Sequence, residues 1–425
     1  MPRSTITSTR SDTHPQNVQS VQYPQQVAIR RPSDYPSRPP VIIPSDPKHK
    51  KRREASRSHG TPFLSIGLWM TTFAALIILF MTLHTSMDKP TAPLNTCQSL
   101  IRSTDYTKYV QLQAQTQQMG AVQDISQLDG GSPAALVPVT HTDAQQTLDV
   151  YIYGCVMQKQ TPSLTLLFKQ QGLAQGTVSI SQAHTLILSE RDSTLSPETT
   201  AILQPMQQNI YQEYRWQSGQ NGQQGTFVRV LFPSLYPVTS RSEAEALQQQ
   251  SNNGQQLTWT DPQKTAEQMA KDLFQWQTID ANDTVLDNDG TTAHVLLIQP
   301  NIQVVVTLSR LVQHDAHGLW FVTHAESQGI TLNALPTPIT SPLTLLGSVS
   351  TSDGSATATL FDHTLTHVSS LNSTGLAVQA DGSYSGSIYY TGIQPDQQGV
   401  LLIENVPPSG VSEQAQLLLT SVEIG

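Results

Sequence analysis

The pattern of apolar and polar positions changes character several times along the chain. Residues 1–60 carry scattered prolines and many Ser, Thr and Gln, with almost no apolar periodicity. A segment of that kind cannot bury enough surface to offset the entropy of ordering it, so it reads as a disordered tail. From Phe63 to Leu83 the run FLSIGLWMTTFAALIILFMTL contains no charge over 21 residues. At a rise of about 1.5 Å per residue such a helix spans roughly 30 Å, the thickness of a bilayer's hydrocarbon core. Sixty residues precede it and it exceeds a signal-peptide core, so the expectation is an uncleaved single span over 61–86. A short Pro-containing linker follows at 87–95.

Beyond the linker, short alternating runs dominate. A Gln-rich, helix-compatible stretch covers about 104–118, LDGGSP (128–133) is a turn, and strand-like runs follow at 147–157, 163–169, 176–181 and 184–190. Ser196-Pro197-Glu198 starts a helix that Pro205 stops. The runs 211–217 and 226–232 read as a hairpin around a Gly- and Gln-rich loop. Two helices are better specified. Ser240 and Glu243 have the spacing of a capping box. Asp261-Pro262 opens a helix whose Ala266, Met269, Ala270, Leu273 and Phe274 fall on one face. Strands at 293–299, 302–312 and 318–326 complete an α+β pattern of helices on an antiparallel sheet.

After Leu335-Pro336-Thr337-Pro338 helical periodicity ends, and five short strands separated by Gly, Asp, Asn and Pro turns predict a small β-sandwich over 336–425. Here Ile339-Thr340-Ser341-Pro342-Leu343 is followed by Leu345 and Gly347. Then come Leu360-Phe361-Asp362, Asp381-Gly382-Ser383-Tyr384, Gly399-Val400-Leu401-Leu402-Ile403-Glu404 and a closing strand to Ile424. This ordered set, over about one fifth of the chain, resembles the bacterial spore-germination immunoglobulin-like domain, the second of the GerMN-associated domains. The resemblance implies a bacterial, extracytoplasmic setting and a domain that binds or spaces without known catalysis. No germination-type GerMN domain is read upstream.

Charge sharpens the picture. Residues 1–60 hold 11 of the 23 Lys+Arg and 4 of the 32 Asp+Glu, leaving 12 basic and 28 acidic residues in the remainder. The positive charge therefore sits in a tail, which argues against a nucleic-acid partner. Lys48, Lys50, Lys51, Arg52, Arg53 and Arg57 crowd one flank of the apolar run. By the positive-inside rule this expects a cytoplasmic N-terminus and an extracytoplasmic bulk. The bilayer is the first expected partner, with anionic lipid headgroups at the basic cluster as an extension, and an envelope protein or polysaccharide outside.

Candidate chemistry is sparse, and no cofactor or metal is expected. Asp287-Asn288-Asp289 has the Asp-x-Asp form of a glycosyltransferase metal site, but Asp289-Gly290 between apolar strands is also a hairpin turn. His314, Asp315 and His317 lie together, and His363 and His367 are four apart. Neither set has the His-Glu-x-x-His pattern of a zinc protease. Cys97 and Cys155 are expected to form a disulfide, two free buried thiols being the alternative. The combined expectation is a multi-domain chain. It has a disordered tail (1–60), a transmembrane signal-anchor helix (61–86), a linker (87–95), α+β regions at 96–235 and 236–335, and an immunoglobulin-like sandwich at 336–425. The expected function is a non-catalytic binding or structural ectodomain of the bacterial cell envelope. A transmembrane signalling regulator and an extracytoplasmic enzyme such as a glycosyltransferase are the rivals.

Overall fold

Strict alternation of side chains about a pleated backbone explains most of this structure. The computed structural model describes residues 96–113, 115–126, 128, 133–142, 144–158, 161–219, 225–278, 283–350, 355–368, 375–407 and 414–425. Two short helices come first, α1 (Thr96–Ser103) and α2 (Thr107–Val110), followed by β1 (Gln117–Met119), β2 (Gln123–Asp124), β3 (Ala134–His141), β4 (Leu148–Gln158) and β5 (Thr161–Leu173). These strands form an antiparallel sheet in which β1 and β2 share one edge of β3, and β4 and β5 follow on its other side. Four further strands make an antiparallel meander: β6 (Thr177–Ile180), β7 (Leu186–Arg191), β8 (Asn209–Gln217) and β9 (Thr226–Val230). Between β7 and β8 lies α3 (Pro197–Ile202), capped by the Ser196 hydroxyl on the Thr199 N–H.

The two sheets face each other. Leu136, Val150, Ile152, Leu186 and Leu188 fill the space between them. On β4 the alternate residues Tyr151 and Tyr153 turn to the opposite face, where Ile101 of α1 and Tyr106 cover them. In place of the expected helix over 104–118 there is one four-residue helix, α2, and the start of β1. The Asp105 carboxylate accepts hydrogen bonds from the Thr107 N–H and hydroxyl, which interrupts the helix there. Gln111 then ends α2 in the left-handed region, at φ 51°.

The rest of the chain builds around one large sheet. Helices α4 (Arg241–Asn252) and α5 (Pro262–Leu273) precede β10 (Thr284–Asn288), β11 (Thr292–Gln299), β12 (Ile302–Ser309), β13 (Phe321–Glu326) and β14 (Ile330–Leu332). There follow β15 (Leu343–Val349), β16 (Ser355–Phe361), β17 (Ala377–Val378), β18 (Ser383–Ile388), β19 (Gln397–Val406) and β20 (Gln416–Ile424). Seven of these pair in the order β10-β11-β12-β13-β20-β19-β16. Met269, Ala270 and Leu273 of α5 pack on one face of this sheet, with Val400, Leu402, Leu417 and Leu419 in the same core. Leu401, Ile403 and Leu418 point the other way, toward a second sheet of order β14-β15-β18-β17. Strand β19 is thus buried on both faces, which is why Val400, Leu401, Leu402 and Ile403 are apolar without alternation. The C-terminal residues form a sandwich, and its β20 continues through β13 into the preceding strands. Within it the Tyr384 hydroxyl donates to the Thr331 carbonyl at 2.7 Å. A Cβ on Gly347 would collide with that carbonyl and with the Tyr384 ring.

Two expectations are corrected. The described fold is predominantly β, built from antiparallel sheets with few helices, rather than an α+β ectodomain behind a membrane helix. No helix among the described residues is long and apolar enough to cross a membrane; α4 and α5, at 12 residues each, span about 18 Å. The single-pass, signal-anchored localisation is not supported by this fold. The basic tail 1–60, the run Phe63–Leu83 and the linker 87–95 lie outside the described residues. All the elements above belong to one unit, Met87–Gly425.

Candidate functional site

The residues singled out in the sequence are dispersed. Asp287, the penultimate residue of β10, has a largely exposed carboxylate, 2.7 Å from His294 Nδ1 on β11. Asn288 Oδ1 accepts the Gly290 N–H at 2.9 Å. Asp289 Oδ1 accepts the N–H groups of Thr291 and Thr292 at 2.8 and 2.7 Å. These donors, Thr292 foremost, hold the Asp289 carboxyl below the usual carboxylate range. Gly290 supplies the positive φ, 92°, that closes the turn. Asp287 and Asp289 therefore serve different partners. His314, Asp315 and His317 form an exposed loop in which Asp315 Oδ1 accepts the His317 N–H at 2.8 Å. His363 and His367 also part company: His363 is buried against Asp192 at 3.0 Å, while His367 is exposed beside Phe361. Among the described residues, no group of three His, Cys, Asp or Glu is arranged to hold a metal ion. Cys97 and Cys155 are joined in a disulfide with their Cα atoms 5.5 Å apart, tying α1 to β4.

A recurrent Asp-x-Ser/Thr spacing accounts for many of the carboxylates. At Asp105, Asp124, Asp192, Asp289, Asp362 and Asp381, Oδ1 accepts both the N–H and the hydroxyl of the residue two places on. This is the Asx-turn, and the short side chain imitates a backbone turn. The spacing is visible in the sequence and identifies these residues as turn formers.

A different group of residues lines a concavity at the start of α4. Ser240 caps α4: its hydroxyl accepts the Glu243 N–H at 3.3 Å and donates to Glu243 Oε2 at 2.7 Å. This places Glu243 on the first turn of α4, with only 5% of its surface exposed. Burial pushes its carboxyl up to about 7, against the opposing pull of the Ser240 hydrogen bond and of His363. Glu243 lines a groove of about 240 Å³ whose apolar walls are Met206, Pro237, Val238, Leu247, Leu257 and Trp259. Gln204, Gln207, Gln250 and Gln255 bring amides to the same groove.

Each wall is fixed from behind. Trp259 stacks edge-on against Tyr236 at 5.3 Å and accepts the Trp320 N–H on its carbonyl at 2.8 Å. Gln248 of α4 donates to the His317 carbonyl at 3.1 Å and accepts the Leu319 N–H at 2.9 Å. Behind Glu243 lies a polar seam between β6–β9 and the C-terminal strands. There Arg241 Nε contacts Glu213 at 2.7 Å, and Arg229 reaches both Asp396 and Glu423 at 2.9 Å. His363 donates its N–H to Gln397 at 3.0 Å. Burial pushes the Asp192 carboxyl up, but the hydrogen bonds from His363 and Thr194 outweigh it and hold the group below the usual carboxylate range. The capping box was legible in the sequence. The groove was not, because its walls come from four separate stretches between residues 204 and 259 that only the fold brings together.

Comparison with known proteins adds little to this geometry. No family model matches the chain, and no curated protein matches it. Among solved structures, the C-terminally truncated trimeric ectodomain of the C. elegans fusion protein EFF-1 is similar at 10% identity over 73% of this chain and 74% of that one, with a TM-score of 0.15.

Proposed function

We propose that the described unit is a binding module without a catalytic centre, and that its ligand-facing site is the groove over the start of α4. The observation that carries this reading is the groove itself: apolar walls, a few convergent amides and one buried carboxylate, the composition of a small-ligand pocket. The carboxylates of the Asx-turns support it from the other side, since their oxygens are engaged by backbone donors. The resemblance of residues 339–424 to the spore-germination immunoglobulin-like domain supports a spacing role for the C-terminal sandwich.

The test is a fragment titration followed by amide and indole NMR shifts, in the unmodified chain and in an Ala246→Trp variant that fills the groove. Shifts clustered at Leu247, Leu257 and the Trp259 indole, lost in the variant, are the expected outcome. Ligands that perturb only other surfaces would overturn the assignment.

A further inference from the structure

We infer that the groove receives a lysine-like alkylammonium side chain of a protein partner, with Glu243 as its counter-charge. This rests on the binding reading above and adds the ligand's chemistry. Among the described residues, Ser240 alone hydrogen-bonds the Glu243 carboxylate. The nearest cation on α4, Arg241, is committed to Glu213 at 2.7 Å. His363, which faces Glu243 from the C-terminal strands, is committed to Asp192 at 3.0 Å. Tyr211 on β8 also faces it and brings no positive charge, and Glu245 on α4 accepts the Gln182 N–H at 3.0 Å. A carboxylate buried without a cation costs folding energy. An incoming ammonium group removes that cost.

Size and chemistry narrow the class. At about 240 Å³ the groove is smaller than the roughly 300–1,000 Å³ of drug-sized sites, which suits one long side chain. Its apolar walls match the methylene stem of lysine, whose head remains polar, and Trp259 offers a ring face or edge to the stem or the ammonium. One carboxylate oxygen is already held by Ser240, so a point charge fits better than a guanidinium, which favours two oxygens in a fork. The rim amides can bond the partner's backbone. The 28 acidic and 12 basic residues beyond residue 60 favour approach of a cationic partner.

The experiment titrates the full chain with Nα-acetyl-lysine N-methylamide and, separately, with the uncharged norleucine analogue, reading shifts at Trp259 and Leu247. At pH 8 the lysine probe is expected to bind at least about tenfold more tightly than the norleucine probe. Its affinity is expected to fall at least about tenfold from pH 8 to 5.5 as Glu243 takes up a proton. In Glu243→Gln both differences are expected to vanish. Equal binding of the two probes, or a lysine preference that survives in Glu243→Gln, would overturn the inference and leave the groove as a binding site. If neither probe shifts these residues, both readings fail. The probe comparison and pH profile need no variant, so they decide the matter even where Glu243→Gln destabilises the fold.

Discussion

Glu243 is where sequence and burial part company. The Ser240/Glu243 spacing declares a helix start, yet nothing local announces that Glu243 is 5% exposed, because groups as distant in sequence as His363 face it only in the fold. Its folded carboxyl is raised above the ordinary value of 4.5 to about 7, so the native state binds the extra proton. Stability contributed by the neutral form is full below about pH 4.5 and is lost as pH rises toward 7. The span corresponds to about 3 kcal/mol. Glu243→Gln should flatten that decline, with the variant more stable than the parent at pH 8 in urea titrations. A variant whose stability follows the parent's at every pH would contradict the assignment. The Asx-turn carboxylates behave differently. Asp287→Ala with Asp289→Asn should change stability by no more than about 0.5 kcal/mol, because Asn retains the acceptor that closes the turn. Abolition of Mn²⁺ binding at micromolar metal by the same pair would reopen the glycosyltransferase reading.

At the scale of elements, alternation and amphipathicity were readable wherever one face is buried. The face Ala266, Met269, Ala270, Leu273 and Phe274 is in the core, and Leu273 is 3% exposed. Leu273→Ala should cost about 2–5 kcal/mol in denaturant unfolding, whereas a loss below about 0.5 kcal/mol would mean that the face is not packed. The stretch 104–118 departs from the expected helix because glutamines suit helix and strand edges alike on composition. What decides its structure is Asp105 closing a turn on Thr107 and Tyr106 burying itself, with its hydroxyl 2.8 Å from the Ile101 carbonyl. The continuous apolar run of β19 predicted a strand, and its burial on both faces follows only from the helix side and sandwich side being occupied together.

At the scale of the molecule, the assembly of the sheets was the least legible feature. The pairing of β13 with β20, Ala325 to Leu419 and Glu326 to Leu418, joins segments more than ninety residues apart. No periodicity marks such a partner. The disulfide is the complementary case, a long-range link readable from there being only two cysteines. Its closure of a 58-residue separation should contribute about 4 kcal/mol through the unfolded chain, so Cys97→Ala with Cys155→Ala should lower stability by about 2–5 kcal/mol. A change within error would mean that the strut is redundant with the Ile101 and Tyr106 packing.

If Glu243 is the buried carboxylate that meets the ligand, a ¹³C NMR titration of its side-chain carboxyl reads this directly. The expected midpoint is near pH 7 in the free protein, moving down when Nα-acetyl-lysine N-methylamide is present. A midpoint in the ordinary carboxylate range, indifferent to the probe, would contradict it.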